Sequence, residues 1–133
     1  MLNKNQRQVK LFISSAFLGL FKEREVLAKQ VFPEIRRRCR ARQVDFVEID
    51  LRWGILPEQV DSGEFVPICF ARIDEGRPYF LGLLGERYGT AMGAQQVASA
   101  CAQYPHYAWL QDYAERSITE LEISQALFSV GRR

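Results

Sequence analysis

Three short apolar runs alternate with stretches whose apolar residues return at helical spacing, and that alternation restricts the fold more than any other feature. The first run, Val9-Lys-Leu-Phe-Ile13, is rich in strand formers and ends at Ser14-Ser15. From Phe17 the period changes: Phe17, Leu20, Phe21, Leu27, Ala28 and Val31 share one helical face. Pro33 is expected to kink or restart that helix, and Ile35 and Cys39 continue its apolar side. Val44 to Trp53 then alternates, with Val47, Ile49, Leu51 and Trp53 on one face and Glu48 and Asp50 on the other. This predicts an edge strand with one face partly wet. A helix opens at Ser62-Gly-Glu64, with Val66, Cys69, Phe70 and Ile73 inward, Pro67 in its first turn and Gly76 just past its end. Pro78-Tyr-Phe-Leu-Gly-Leu-Leu-Gly85 is continuously apolar, as expected of a strand covered on both faces. Ala94 to Ala102 suits a helix, Tyr104 to Tyr107 a loop, and Trp109, Leu110 and Tyr113 an aromatic approach to the last helix. Helical crossovers between strands imply a parallel sheet with helices on its faces, an α/β fold of three layers. With the third strand the most apolar and the second the most polar, the expected strand order is 2-1-3, as in flavodoxin-like folds.

Length and charge narrow the function. A chain of 133 residues holds one domain with a real core and is too short for two. Its net charge of +2 does not call for nucleic acid. The run Arg36-Arg37-Arg38-Cys39-Arg40-Ala41-Arg42 reads as a helix C-terminus, where cations complement the macrodipole. No aromatics interleave it, so nucleic acid is the least expected partner. Cys39, Cys69 and Cys101 show no CxxC or His-Cys spacing; they read as small buried hydrophobes in a reducing, cytoplasmic setting. Neither an apolar signal core nor a membrane-length apolar run occurs, so no membrane partner is expected. His106 is the only histidine, which rules out a metal site of several imidazoles, and no metal or cofactor is expected. Neither GxGxxG nor GxxxxGK[ST] is present, which disfavours a dinucleotide-binding dehydrogenase and excludes an NTPase of the P-loop type.

The chemistry concentrates in Ser117-Ile-Thr-Glu-Leu-Glu-Ile-Ser-Gln-Ala-Leu127. Ser117 followed by Glu120 is a capping box, so Glu120 has a structural task. Ile123, Ala126, Leu127 and Val130 form a stripe at helical spacing. Glu122 then lies about a quarter turn from that stripe, at the margin between core and solvent, where a half-desolvated carboxylate can be tuned. On that placement Glu122→Ala is expected to be nearly neutral for folding. In open α/β sheets ligands bind beyond the carboxyl ends of the strands. Those ends carry Ser14-Ser15, Asp50-Leu-Arg-Trp-Gly54 and Gly85-Glu-Arg-Tyr-Gly89, and all three share one edge with the N-terminus of the last helix. Ser14, Ser15, Arg52, Trp53, Glu86, Arg87 and Tyr88 are therefore the candidate substrate contacts around Glu122: arginine forks suit phosphate, and aromatic faces suit a base or a nicotinamide-like ring.

Six ordered blocks carry a resemblance that covers nearly the whole chain: Leu11-Phe-Ile-Ser-Ser-Ala-Phe17, Lys22-Glu-Arg-Glu25, Phe32-Pro33, Asp50-Leu-Arg-Trp-Gly54, Pro78 to Gly89, and Ser117 to Ile123. Together they resemble the N-terminal TIR-like domain of nephrocystin-type, telomerase-associated and other NACHT/STAND proteins, including bacterial relatives; residues 90–110 carry little of the match. That family is related to Toll/interleukin-1 receptor (TIR) domains. Phe12-Ile13-Ser14 is similar to the TIR first-strand motif, and Glu122-Ile-Ser-Gln-Ala to the motif of the third TIR helix, whose glutamate is catalytic in NAD-cleaving members. The resemblance implies one TIR-like domain over residues 1–133, an NAD nucleosidase activity on clustering with Glu122 as catalytic residue and NAD as substrate, and a role in an immune or anti-phage signalling protein. It implies self-association and NACHT/ATPase and repeat domains as partners, and it places Arg52-Trp53-Gly54 in a pocket-bordering loop. TIR domains continue with further strands, whereas this sequence stops at Val130-Gly-Arg-Arg133, so the expectation is a piece of a longer protein. The alternatives are a self-associating module without activity and, most remotely, nucleic-acid binding.

Overall fold

The structure, a computed structural model, describes residues 7–16, 19–51 and 64–128. Strand β1 (Arg7–Ser14) lies between β2 (Val44–Ile49) and β3 (Phe80–Gly82) in a parallel sheet of order β2-β1-β3. Arg7 to Phe12 run opposite Val44 to Ile49, and Phe12 to Ser14 opposite Phe80 to Gly82. The α/β class and the 2-1-3 order expected from the crossovers are therefore observed.

The period-two pattern of β1 divides the core into two layers. Val9, Leu11 and Ile13 pack with Phe32 and Phe46 beneath α1 (Phe21–Val26) and α2 (Phe32–Arg40). Phe12 belongs to the larger core, built with Phe65, Cys69, Phe70 and Ile73 of α3 (Phe65–Gly76) and with Ile118 and Leu121 of α5 (Ile118–Phe128). Between them come α4 (Ala94–Gln103) and a 3-10 helix, Pro105–Tyr113, which the sequence reading divided between a loop and an aromatic approach. Leu110 of the 3-10 helix is fully buried. The arginine run does end a helix: Arg37 and Arg38 bond Glu34 on the same helix, and Arg36 pairs with Glu48 of β2.

Several expectations are revised. The first helical stretch is interrupted by a π turn over Leu27–Val31, where the Phe32 N–H donates to Leu27 O. Pro33 follows at once, and its missing N–H makes a break in the regular ladder easy to accommodate. The inserted residue rotates the buried face by about 100°. Phe32 is thereby turned inward and Val31 left exposed, while before the turn Phe21 is exposed and Arg24 is buried in an ion pair with Asp50. In β2 the buried residue is Phe46, on the face that also carries Glu48, because α2 covers that side. The third strand is three residues long rather than eight, and Phe80 and Leu81 are only half-buried. Leu83 N–H still reaches Ser14 O at 2.8 Å, after which the chain peels away and leaves Leu84 exposed. A continuous apolar run measures hydrophobicity, not cover on both faces; β3 lies at one end of the described sheet.

Candidate functional site

Helix α5 is held at both ends, and this sets its rotation. At its N-terminus Ser117 Oγ accepts the N–H of Glu120 at 3.1 Å, as a cap should. The return half of the capping box passes through a third residue: the Ser117 N–H donates to Tyr88 Oη at 3.1 Å, and Tyr88 Oη donates to Glu120. Glu120 also accepts from Arg116 at 2.7 Å. Toward the other end, Arg77 donates to the carbonyls of Gln125 and Ala126 at 2.7 and 3.0 Å, and the Gln125 amide donates to Asp74 at 3.0 Å. Cations suit that end of a helix.

With the helix so held, Ile118, Leu121, Glu122 and Gln125 face inward, at the i, i+3, i+4, i+7 spacing of one helical face. The expected stripe is the outer one: Ile123 and Ala126 are half-buried, Leu127 is 63% exposed, and Val130 lies outside the described residues. Glu122 is accordingly in the interior at 5% exposure, not at the core margin. Its Oε1 accepts a hydrogen bond from Ser14 Oγ at 3.0 Å, at the carboxyl end of the central strand. From α3, the buried Cys69 thiol bonds to the same carboxylate. Burial pushes the Cys69 thiol well above its ordinary pKa, and the Glu122 charge pushes it further, so the thiol is held as a protonated donor.

Next to Glu122 is a cavity with room of about 10 Å³ for the centre of a water molecule, lined by Ser15, Leu51, Phe65, Thr90 and Thr119 among others. Glu86, Arg87 and Tyr88 do not line it. They border a separate, open groove of about 560 Å³ with Glu120, Ile123, Ser124 and Phe128, which meets the first cavity at Thr119. The expected cluster is thus split, with Ser14 and Ser15 beside Glu122 and the third-strand loop beside Glu120. Arg52 and Trp53 lie outside the described residues. Asp50 projects to the opposite face, where it forms a buried ion pair with Arg24. That pair lines a third cavity, of about 480 Å³, under the π turn.

Sequence reasoning missed Cys69, Thr90 and Thr119. Cys69 was legible as part of the inward stripe of α3, where the thiol is the one group able to donate a hydrogen bond. Nothing local marked Thr90 or Thr119, since their role depends on how the 83–90 loop meets α5. Among the described residues no group of three or more His, Cys, Asp or Glu could hold a metal ion, and no helix is long and apolar enough to cross a membrane.

Comparison with known proteins adds to this geometry. The family described as "Domain of unknown function (DUF4062)" matches residues 10–129. Telomerase protein component 1 of Rattus norvegicus is 34% identical over 122 residues, which is 91% of this chain and 4% of that protein. A TPR repeat-containing protein of Dictyostelium discoideum is 30% identical over 134 residues, covering 92% of this chain and 8% of that protein. NACHT and WD repeat domain-containing protein 2 of Mus musculus is 37% identical over 89 residues, covering 62% and 5% respectively. The chain thus spans a small fraction of the relatives it matches. No solved structure matches it.

Proposed function

The chain belongs to the DUF4062 family, and from that membership we propose that it is a signalling domain of NACHT-type proteins that cleaves NAD when copies are clustered. The observation that carries the reading is the Ser14–Glu122 hydrogen bond: it fixes a buried carboxylate at the carboxyl end of the central strand, where open α/β sheets bind ligands. It also joins the two segments on which the resemblance to NAD-cleaving TIR domains rests.

The chemistry asks little else of the protein. As the bond from ribose C1′ to the nicotinamide nitrogen breaks, its electron pair stays on nitrogen and nicotinamide leaves neutral, so no strong general acid is required. Positive charge develops at C1′ and the ring oxygen, and a fixed carboxylate stabilises it. Glu122 supplies that charge, with its orientation set by Ser14 and Cys69. The cavity beside it accepts about one water, so substrate enters only when its wall opens. Association of neighbouring copies supplies the energy for that opening, which makes turnover dependent on clustering.

Nicotinamide release by protein fused to an oligomeric scaffold tests the reading. Clustered wild type is expected to release nicotinamide from NAD, the unclustered domain much less, and clustered Glu122→Gln none. A second reading is a self-associating module without activity, favoured by the exposed apolar side chains Leu84, Leu127 and Phe128. No release by clustered wild type establishes that second reading in place of the first, and equal, measurable release by wild type and Glu122→Gln removes Glu122 from the catalytic role.

A further inference from the structure

Ser14 and Ser15 are neighbours with different duties. Ser14 Oγ is committed to Glu122 at 3.0 Å. Ser15 is 4% exposed, yet its Oγ has no hydrogen-bonding partner among the described residues. Buried hydroxyls left in that condition are rare, and an ordered water is the usual partner. The cavity that Ser15 lines offers about 10 Å³ to a water's centre, close to the minimum of roughly 10–15 Å³ that one molecule needs. Its polar wall consists of Ser15, Thr90, Thr119 and Glu122, which meets the two to four polar partners such a water requires. Among the described residues the rest of the wall is apolar, including Phe12 and Phe65, and adds no competing acceptor from its side chains.

We propose that this cavity holds a single water between Ser15 Oγ and the Glu122 carboxylate, and that this water is the nucleophile that completes NAD cleavage, with Ser15 as its positioning residue. The second half of the proposal rests on the activity proposed above. In the step, the C1′–nitrogen bond breaks with its electrons retained by nicotinamide. The water oxygen forms the new bond to C1′, and the proton it loses passes to Glu122 and on to solvent. The products are nicotinamide, ADP-ribose and one proton. A water donating its hydrogens to Glu122 and Ser15 keeps a lone pair directed away from both, toward an incoming C1′. Ser14 orients the carboxylate, and Ser15 orients the oxygen that attacks.

Two measurements test this. A crystal structure at a resolution that shows individual waters is expected to place one within about 2.7–3.2 Å of both Ser15 Oγ and a Glu122 oxygen. The other is product partition by the clustered protein in water–methanol mixtures, where methanol competes to give the methyl riboside. Ser15→Ala, with its melting temperature checked against wild type, is expected to release nicotinamide more slowly and to raise the methanol-derived share about tenfold, since an unheld water loses its positional advantage. A purely structural serine would slow turnover without changing that share. An occupied cavity together with a changed share supports the proposal. An empty cavity in the wild-type crystal overturns it whatever the activity, and normal nicotinamide release with an unchanged share overturns the nucleophile assignment while sparing Glu122. Clustered wild type that releases no nicotinamide refutes the NAD reading and the nucleophile with it, and the crystal then decides the water alone.

Discussion

Replacing Tyr88 by phenylalanine removes one oxygen atom and reports how the N-terminus of α5 is capped. That oxygen accepts the Ser117 N–H at 3.1 Å and donates to Glu120. Ser117 is 1% exposed, so little water can replace the lost acceptor. An unsatisfied buried donor costs about 1–3 kcal/mol. The Glu120 side loses less, because that carboxylate keeps Arg116 at 2.7 Å and has access to solvent. The expected total is about 1–2 kcal/mol, or roughly 4–7 °C in melting temperature for a domain of this size. Glu120→Ala leaves the phenol able to accept from Ser117 and removes mainly an exposed ion pair, a loss of about 0.5 kcal/mol. The ranking therefore reverses what a two-residue capping box requires, in which Glu120 matters and Tyr88 does not. Urea unfolding of the two single variants and the double variant, followed by circular dichroism, measures it. If Tyr88→Phe lies within about 0.3 kcal/mol of wild type while Glu120→Ala costs about 1 kcal/mol or more, the relay through the phenol is wrong.

Glu122→Ala is expected to destabilise by about 1–3 kcal/mol, because burial leaves Ser14 Oγ without its acceptor; Glu122→Gln, which keeps an acceptor, should cost less in the same urea titration. Gly76→Ala is expected to cost about 1–3 kcal/mol, since its Cβ would come within 2.9 Å of the Lys10 carbonyl of β1; thermal melts equal to wild type would contradict that close approach. The Cys69 pKa is raised on folding, so its contribution to stability is complete below the unfolded thiol value of about 8.5 and is lost as pH rises toward the folded value. Urea midpoints should hold steady to about pH 8 and fall as the pH rises beyond about 8.5, and Cys69→Ala should flatten the decline. Glu34, paired with Arg37 and Arg38, is expected to titrate at about 2 in an NMR pH series, and a midpoint at the ordinary glutamate value would show those pairs to be unformed in solution.

Much of the architecture was legible in consecutive residues. The strand-forming apolar run Val9–Ile13 and helical spacing through Val66, Cys69, Phe70 and Ile73 identified elements, and the crossovers between strands determined a parallel sheet in 2-1-3 order. Ser117 as a cap was legible too, because capping is local chemistry. The phase of the first helix was not, since one inserted residue at Leu27–Val31 shifts every later position around the axis while leaving the composition unchanged. The inward turn of Glu122 was not either. Helix α5 is apolar on two sides, with Ile118 and Leu121 on one and Ile123, Ala126 and Leu127 on the other, so its periodicity does not choose between them. The choice falls to packing: Leu121 fills the core against α3 and β1, Arg77 and Tyr88 hold the two ends, and Ser14 and Cys69 offer donors that make a buried carboxylate tolerable. A sequence records which residues can share a face, but the rotation of that face toward the core depends on partners 29 to 108 positions away, and those meet only when the chain has folded.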